Sequence, residues 1–294
     1  MAGVVTAAPA TATGPAAVPQ GPGAGAVPWL LLMPATAALV LLFVLPIGYV
    51  LLLSFTDPQV SLAHYQRIFA VPLYTRILFN TFATSLTVTV ICLLLAYPLA
   101  YVISRRNDWI SLTLLICVAV CFWTGFIVRT YAWLVILGNK GPVAAVWQGL
   151  GFGAPPQLLF TSFASTLGMT HILLPYMVLA LYSVMKKIDP NLLRAAASLG
   201  ARPNAAFRAV FLPLSLPGVV NGSILVFTIC LGFFVTPILL GTPKDMMISQ
   251  LVNQQIEELL AWGFASAIAV VLLVATSIVL AIYNRFVGLD RLWG

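Results

Sequence analysis

Six long apolar runs dominate the sequence, at approximately 29–54, 78–104, 109–128, 161–185, 217–240 and 264–284. Each reaches the roughly 20 residues that an α-helix needs to cross a hydrocarbon core about 30 Å thick. Inside lipid the backbone must satisfy its own hydrogen bonds, so uninterrupted runs of this length predict helices that span the membrane. With 61% hydrophobic and only 7% charged residues, the chain cannot cover itself with a water-facing surface, which carries roughly a quarter or more charged side chains. The expected fold class is an all-α integral membrane protein, a six-transmembrane-helix bundle over residues 28–294. Pro46, Pro98, Pro175 and Pro237 fall inside the runs, which predicts bent helices whose freed carbonyls are re-satisfied by neighbours. Residues 131–152 are too interrupted by Gly and Pro for a further span. Trp133 and Trp147 suit the lipid–water interface there, and the segment is expected to lie flat on the outer surface.

The formal charge of +7 raises nucleic acid as a partner, but the basic residues stand singly at the ends of apolar spans and form no stripe. Membrane orientation accounts for them better. With the N-terminus cytoplasmic, inner segments hold Arg105, Arg106, Lys186, Lys187, Arg194, Arg202, Arg208, Arg285 and Arg291, against Arg67, Arg76, Arg129, Lys140 and Lys244 outside. Excess Lys and Arg marks the cytoplasmic side, so both termini are expected in the cytoplasm. Residues 1–27 are mostly Ala, Pro, Gly and Thr, without charge; they cannot bury enough to order themselves and are expected to be a disordered tail. They lack the positive and apolar regions of a secretory signal, so retention is expected. Cys92, Cys117, Cys121 and Cys230 all lie within apolar runs, where packing is the natural role, and no disulfide framework is implied.

Several function classes can be set aside. The chain contains no G-x-x-x-x-G-K-[ST] phosphate loop, so ATP binding in the usual manner is not expected. Its seven acids, Asp57, Asp108, Asp189, Asp245, Glu257, Glu258 and Asp290, fall in loops or at span ends, whereas proton- or sodium-driven carriers keep carboxylates at membrane depth. An intramembrane enzyme needs a convergent cluster of His, acid, Ser or metal ligands; only His64 and His171 are present. Neither catalytic residues, nor a metal site, nor a cofactor is expected.

A solute pathway remains, with several candidates. His171 lies inside the fourth run, where an ionisable residue marks function by default, although a neutral imidazole bonded to a neighbouring helix is the plainer reading. Arg129, in FWTGFIVRTYAW, reads either as an anchor at the outer interface or as a lining of the solute's entry. Trp123 and Trp133 beside it read as interfacial belt or as ligands. Glu257, Glu258 and Trp262 can attract and stack a cationic solute; a solvated outer helix is the alternative.

One polar island breaks the apolar pattern, Asp189 to Gly218, DPNLLRAAASLGARPNAAFRAVFLPLSLPG. Asp189 suits a helix N-cap and Pro190 the first helical position. Gly200 suits the left-handed residue that ends the helix, and Pro203 the start of a second short one. Leu192, Ala195, Ala196 and Leu199 then share one face, and Phe207, Val210, Phe211 and Leu214 share another. Taken alone, the island also reads as a cytoplasmic loop resting on the membrane surface.

Its spacing resembles the "EAA" loop of permease subunits in binding-protein-dependent ABC importers. Arg194-Ala195-Ala196, Gly200, Val210 and Leu212-Pro213 keep that pattern's intervals, with Arg194 standing where the family has Glu. Beyond the loop, LPIGYVLLLSF, YTRILFNTF, YPLAYVISR, FWTGFIVRTYAW, HILLPYMVLALYSVMKKID and WGFASAIA look like permeases of the spermidine/putrescine type. The resemblance implies that the 189–218 loop forms coupling helices that dock into an ABC ATPase. It further implies two ATPase copies, a second permease and an extracytoplasmic solute-binding protein. The solute would be polyamine-like or another small organic molecule. The rival is a self-sufficient carrier or channel, which would transport without partners.

Overall fold

The computed structural model describes residues 28–57 and 59–287; the disordered tail expected over 1–27 lies outside the described residues. Two units are distinguished, Met1–Tyr49 and Val50–Gly294. Among the described residues every regular element is helical.

In the first unit, α1 (Pro28–Leu39) is followed by a π turn (Val40–Val44) and the start of α2 (Leu45–Thr56). The π turn has a local cause. Pro46 in a regular α-helix would drive its ring into the carbonyl four residues back, and the wider turn, closed by the Leu45 N–H on the Val40 carbonyl, removes that clash.

The second unit continues with α3 (Ala63–Ala70), α4 (Pro72–Arg105), α5 (Trp109–Trp123), α6 (Phe126–Leu137), α7 (Pro142–Gly149) and α8 (Ser162–Met185). Next come α9 (Pro190–Ser198), α10 (Pro203–Ala206), a second π turn (Phe207–Phe211) and α11 (Leu212–Leu231). The described chain ends with α12 (Val235–Leu240), a 3-10 turn (Pro243–Asp245), α13 (Ile248–Glu257) and α14 (Trp262–Val287). Five helices are long and apolar enough to cross a membrane: Met33–Thr56, Pro72–Arg105, Ser162–Met185, Pro203–Leu231 and Trp262–Tyr283. A sixth crossing requires the pair Trp109–Trp123 and Phe126–Gly149, which bends by 99°. The run at 109–128 is therefore not one straight helix. It breaks at Thr124, which is extended, and Gly125, which is not helical either. The fifth run also shifts: its helix starts at Pro203 and ends at Leu231, leaving Pro237 in the short α12.

Three ridges with a repeat of four residues form the core. On α8 the ridge is large: Met169, Leu173, Met177, Leu181 and Met185, all fully buried. The facing ridges are small, Val88, Cys92, Ala96 and Ala100 on α4 and Gly218, Gly222, Val226 and Cys230 on α11. Rows at i±4 interlock in this way, and small residues let membrane helices approach closely. A Cβ on Gly222 would lie 2.6 Å from the Met177 sulfur. Outward faces are apolar too, with Phe79 75% and Leu94 68% exposed, as a surface solvated by lipid requires.

Candidate functional site

The 189–218 segment begins as its sequence requires. The Asp189 carboxylate accepts from the Asn191 N–H at 2.9 Å, with Pro190 in the first helical position. At the other end of α9 the Gly200 N–H donates to the Ala197 carbonyl (2.9 Å) and the Ala201 N–H to that of Ala196 (3.0 Å). This paired closure needs a left-handed residue, and Gly200 has φ +84°. Leu192 and Leu199 stand 45% and 89% exposed, Ala195 is exposed and Ala196 half-buried. Arg194 is exposed, its Nη1 donating only along its own helix to Asn191 Oδ1 at 3.3 Å.

The second half corrects the expectation of a separate short helix, because Pro203–Leu231 is continuous. Its π turn, placed before Pro213 as the first is placed before Pro46, adds one residue to the register. Buried positions run Ala206, Phe211, Ser215, Gly218 and Gly222. Leu214 consequently leaves the shared face and is 43% exposed; Val210 is half-buried, and Leu212 and Pro213 are exposed. Phe207 and Phe211 stack at 5.5 Å. Tyr101 of α4 meets both edge-on at 5.6 and 4.9 Å. Tyr97 meets Phe207 at 6.4 Å and shares a 2.8 Å hydrogen bond with Ser215 Oγ. Sequence reading passed over this contact, although Tyr97, Tyr101 and Arg105 at four-residue spacing put three polar-tipped side chains on one stripe of an apolar helix.

The candidates for the solute's path do not gather into one site. Arg129, Trp133 and His171 come together where α6 lies on α8. Arg129 is 6% exposed, and its Nη1 donates to the carbonyls of His171 (3.5 Å) and Ile172 (3.2 Å). It is therefore neither a side chain reaching to an interface nor an open lining of this chain's surface. The reason is tertiary: Pro175 has no N–H for the His171 carbonyl. Trp133 Nε1 donates to His171 Nδ1 at 3.1 Å; an indole can only donate, so that ring nitrogen carries no proton. Thr130 and Thr236 hydroxyls, 3.1 Å apart, tie α6 to α12. Trp123 stands apart at 86% exposed.

Glu257 and Glu258 are exposed at the end of α13. They accept from the side-chain amides of Asn253 (3.0 Å) and Gln254 (3.1 Å). Trp262 is 51% exposed. Among the described residues neither acid forms an ion pair, Arg106–Asp108 being the pair present. Between α11 and α14 a groove of about 410 Å³ carries Thr228, Ser249 and Thr276 on apolar walls. Among the described residues no three of His, Cys, Asp and Glu are placed to hold a metal ion.

This all-α membrane chain, with a capped, exposed helix between two spans, is a permease subunit, a non-catalytic component of an importer, as its family match shows. It belongs to the binding-protein-dependent transport system inner membrane component family, which matches residues 93–288. It is thus a multi-pass inner-membrane protein. The spermidine/putrescine transport system permease protein PotB of Haemophilus influenzae is 34% identical over 227 residues, 77% of this chain and 79% of that one. PotB of Escherichia coli is 32% identical over 234 residues, 79% and 84% of the two chains. The E. coli inner membrane ABC transporter permease protein YdcU is 31% identical over 252 residues, 80% and 79%. A solved bacterial ABC transporter involved in the import of the acidic polysaccharide alginate shares the fold, with TM-score 0.70 at 18% identity over 88% of this chain and 95% of that one.

Proposed function

We propose that this chain forms half of the transmembrane pathway of an ATP-driven importer for polyamines or similar small cationic solutes. The observation that carries the coupling is α9 itself, a capped amphipathic helix whose Leu192 and Leu199 stand 45% and 89% exposed among the described residues. An apolar face left open on a rigid helix is a docking surface, and the family intervals from Arg194 to Pro213 lie on it and on the helix that follows. Two ATPase subunits, a second permease and an outer solute-binding protein complete the assembly, with both termini cytoplasmic. The polyamine assignment rests on the PotB relatives and on the unpaired Glu257 and Glu258 beside Trp262, which favour a cation. Trp123, Trp262 and the Thr228–Thr276 groove face the solute's path, and Arg129, Trp133 and His171 brace its outer end.

The test is reconstitution. The chain is purified with its copurifying subunits, these are identified by mass spectrometry, and ATP-dependent uptake of labelled spermidine into proteoliposomes is measured. Uptake by this chain alone would support the self-sufficient carrier. An ATP-driven complex that ignores spermidine would overturn the substrate and leave the coupling.

A further inference from the structure

Both arms of the 189–218 loop meet one side chain. Arg105, in the last turn of α4, donates from Nη1 to the carbonyl of Ile188 at 3.2 Å. Ile188 immediately precedes the Asp189 cap, where the chain enters α9. The same guanidinium lies over Phe211, Cζ 4.6 Å from the ring centroid, and Phe211 belongs to the turn by which the chain returns. Arg105 therefore touches the loop's entrance and its exit from a third helix. Phe211 is fully buried and locked edge-on by Tyr101 at 4.9 Å, so the ring under the cation is a rigid surface. Cation–π contacts strengthen as they are desolvated, and a planar guanidinium can stack and donate at once, which an ammonium does less well.

Arg105 Nε and Nη2 are buried without acceptors. Buried polar groups are normally satisfied, and each exception asks for a reason. On a side chain that already holds both arms, the two spare donors can take a further acceptor while the bond to the Ile188 carbonyl stays in place. π turns recur at functional sites inside longer helices, and this one lies where the loop joins α11.

We propose that Arg105 is the positioning residue that transmits movement of α9 to the transmembrane body. Through Ile188 and Phe211 it fastens both arms of the loop to α4, so that displacement of α9 carries α4, the end of α8 and the start of α11 with it. This rests on the reading of α9 as the helix that docks an ATPase.

The experiment uses the complete complex in lipid nanodiscs, with Cys117 and Cys121 replaced by Ala. Spin-label distances are measured without nucleotide and after trapping with ADP and vanadate. One pair, at Val102 and Ser198, spans the clamp; a second, at Tyr131 and Ser198, reports movement of α9 relative to the outer end. In the parent the second pair shifts on trapping and the first does not. In Arg105→Gln the first pair broadens and shifts on trapping while ATP hydrolysis persists. The occupancy of the clamped distance falls about ten-fold, as for loss of one charge-assisted hydrogen bond. Arg105→Lys, which keeps a cation over Phe211, lies between; it carries the same comparison if Arg105→Gln does not assemble. A first pair that shifts in the parent as far as the second would overturn the clamp, and so would an Arg105→Gln variant matching the parent in both states. A second pair that ignores nucleotide in the parent would instead remove the docking reading, and the proposal with it.

Discussion

Arg129 donates to the carbonyl of His171 at 3.5 Å, and His171 lies four residues before Pro175. In an uninterrupted α8 that carbonyl would accept from the amide of residue 175, and proline has none. Arg129 supplies the missing donor from α6 and reaches the adjacent Ile172 carbonyl at 3.2 Å. The proline in one helix and the buried cation on another are thus a single feature.

A double-mutant cycle tests that dependence. Arg129→Met leaves the His171 carbonyl buried without a donor, which costs about 1–3 kcal/mol. Pro175→Ala restores an amide for it, so Arg129→Met should cost less in that background, by about 1 kcal/mol or more of coupling. The measurement is thermal denaturation of the detergent-solubilised complex for the four variants. Strictly additive shifts would mean that Arg129 and Pro175 are independent.

Gly200 tests the turn that ends α9. Beyond Gly200 and its chain neighbours, no atom of the described residues lies within 4 Å of the position its Cβ would take, so any cost of substitution there is backbone cost alone. A left-handed φ costs an L-residue about 1–2 kcal/mol, least for Asn. Coupled uptake is therefore expected to fall in the order Gly, Asn, Ala, Val, with membrane insertion unchanged in all four. Parent-level uptake in Gly200→Val would show that the turn geometry is dispensable.

How much of this was legible in the sequence depends on the range of the interaction. Asp189, Pro190 and Gly200 act within a few residues of themselves, and the structure places each in the role its chemistry dictates. Apolar length likewise announced the spans. The π turns were harder, yet their cause is local too: Pro46 and Pro213 each follow one, because a regular turn would meet the proline ring. Arg129 was out of reach, since beside FWTGFIV it looks interfacial, and only the position of Pro175, 46 residues later in the sequence, buries it. The break at Thr124–Gly125 was hidden for a similar reason. Apolar content records compatibility with lipid and says little about where a helix bends.

Glu257 and Glu258 carry a prediction about charge. Replacing both with Gln keeps acceptors for Asn253 and Gln254 and removes two exposed negative charges. If those charges draw in a polyamine, initial uptake should fall several-fold at low salt. The difference should shrink near 1 M salt, where the screening length is about 3 Å. Equal rates at both salts would leave a solvated helix end.

Orientation can be read by labelling single cysteines in intact cells. Lys140→Cys and Lys244→Cys are expected to react with an impermeant reagent from outside, and Arg106→Cys and Arg202→Cys only after permeabilisation; all four positions are exposed. The Lys and Arg asymmetry motivates the assignment. External labelling of position 202 would invert the map and take α9 away from any cytoplasmic ATPase.

Arg194 stands where the family loop carries an acid. Its side chain is exposed and held only by Asn191 one turn back, so it is free to meet a partner. The resemblance to the family loop implies that a Glu at this position would face a basic residue on the ATPase. Arg reverses the sign, and like charges held close in a partly desolvated interface cost several kcal/mol. Two arrangements avoid that cost: the cognate ATPase presents an acid, or Arg194 turns to water while Ala195 and Ala196 seat the helix by close packing. The first predicts that Arg194→Glu alone impairs coupled transport and that an acid-to-base change in the ATPase restores it. The second predicts near-normal transport in Arg194→Glu and a loss in Ala196→Leu, since a site fitted to small side chains has no room for a larger one. The ion pair is the expected outcome, because α9 otherwise offers Arg194 nothing beyond Asn191. A tolerated Arg194→Glu would sink it and assign the docking to the alanine face.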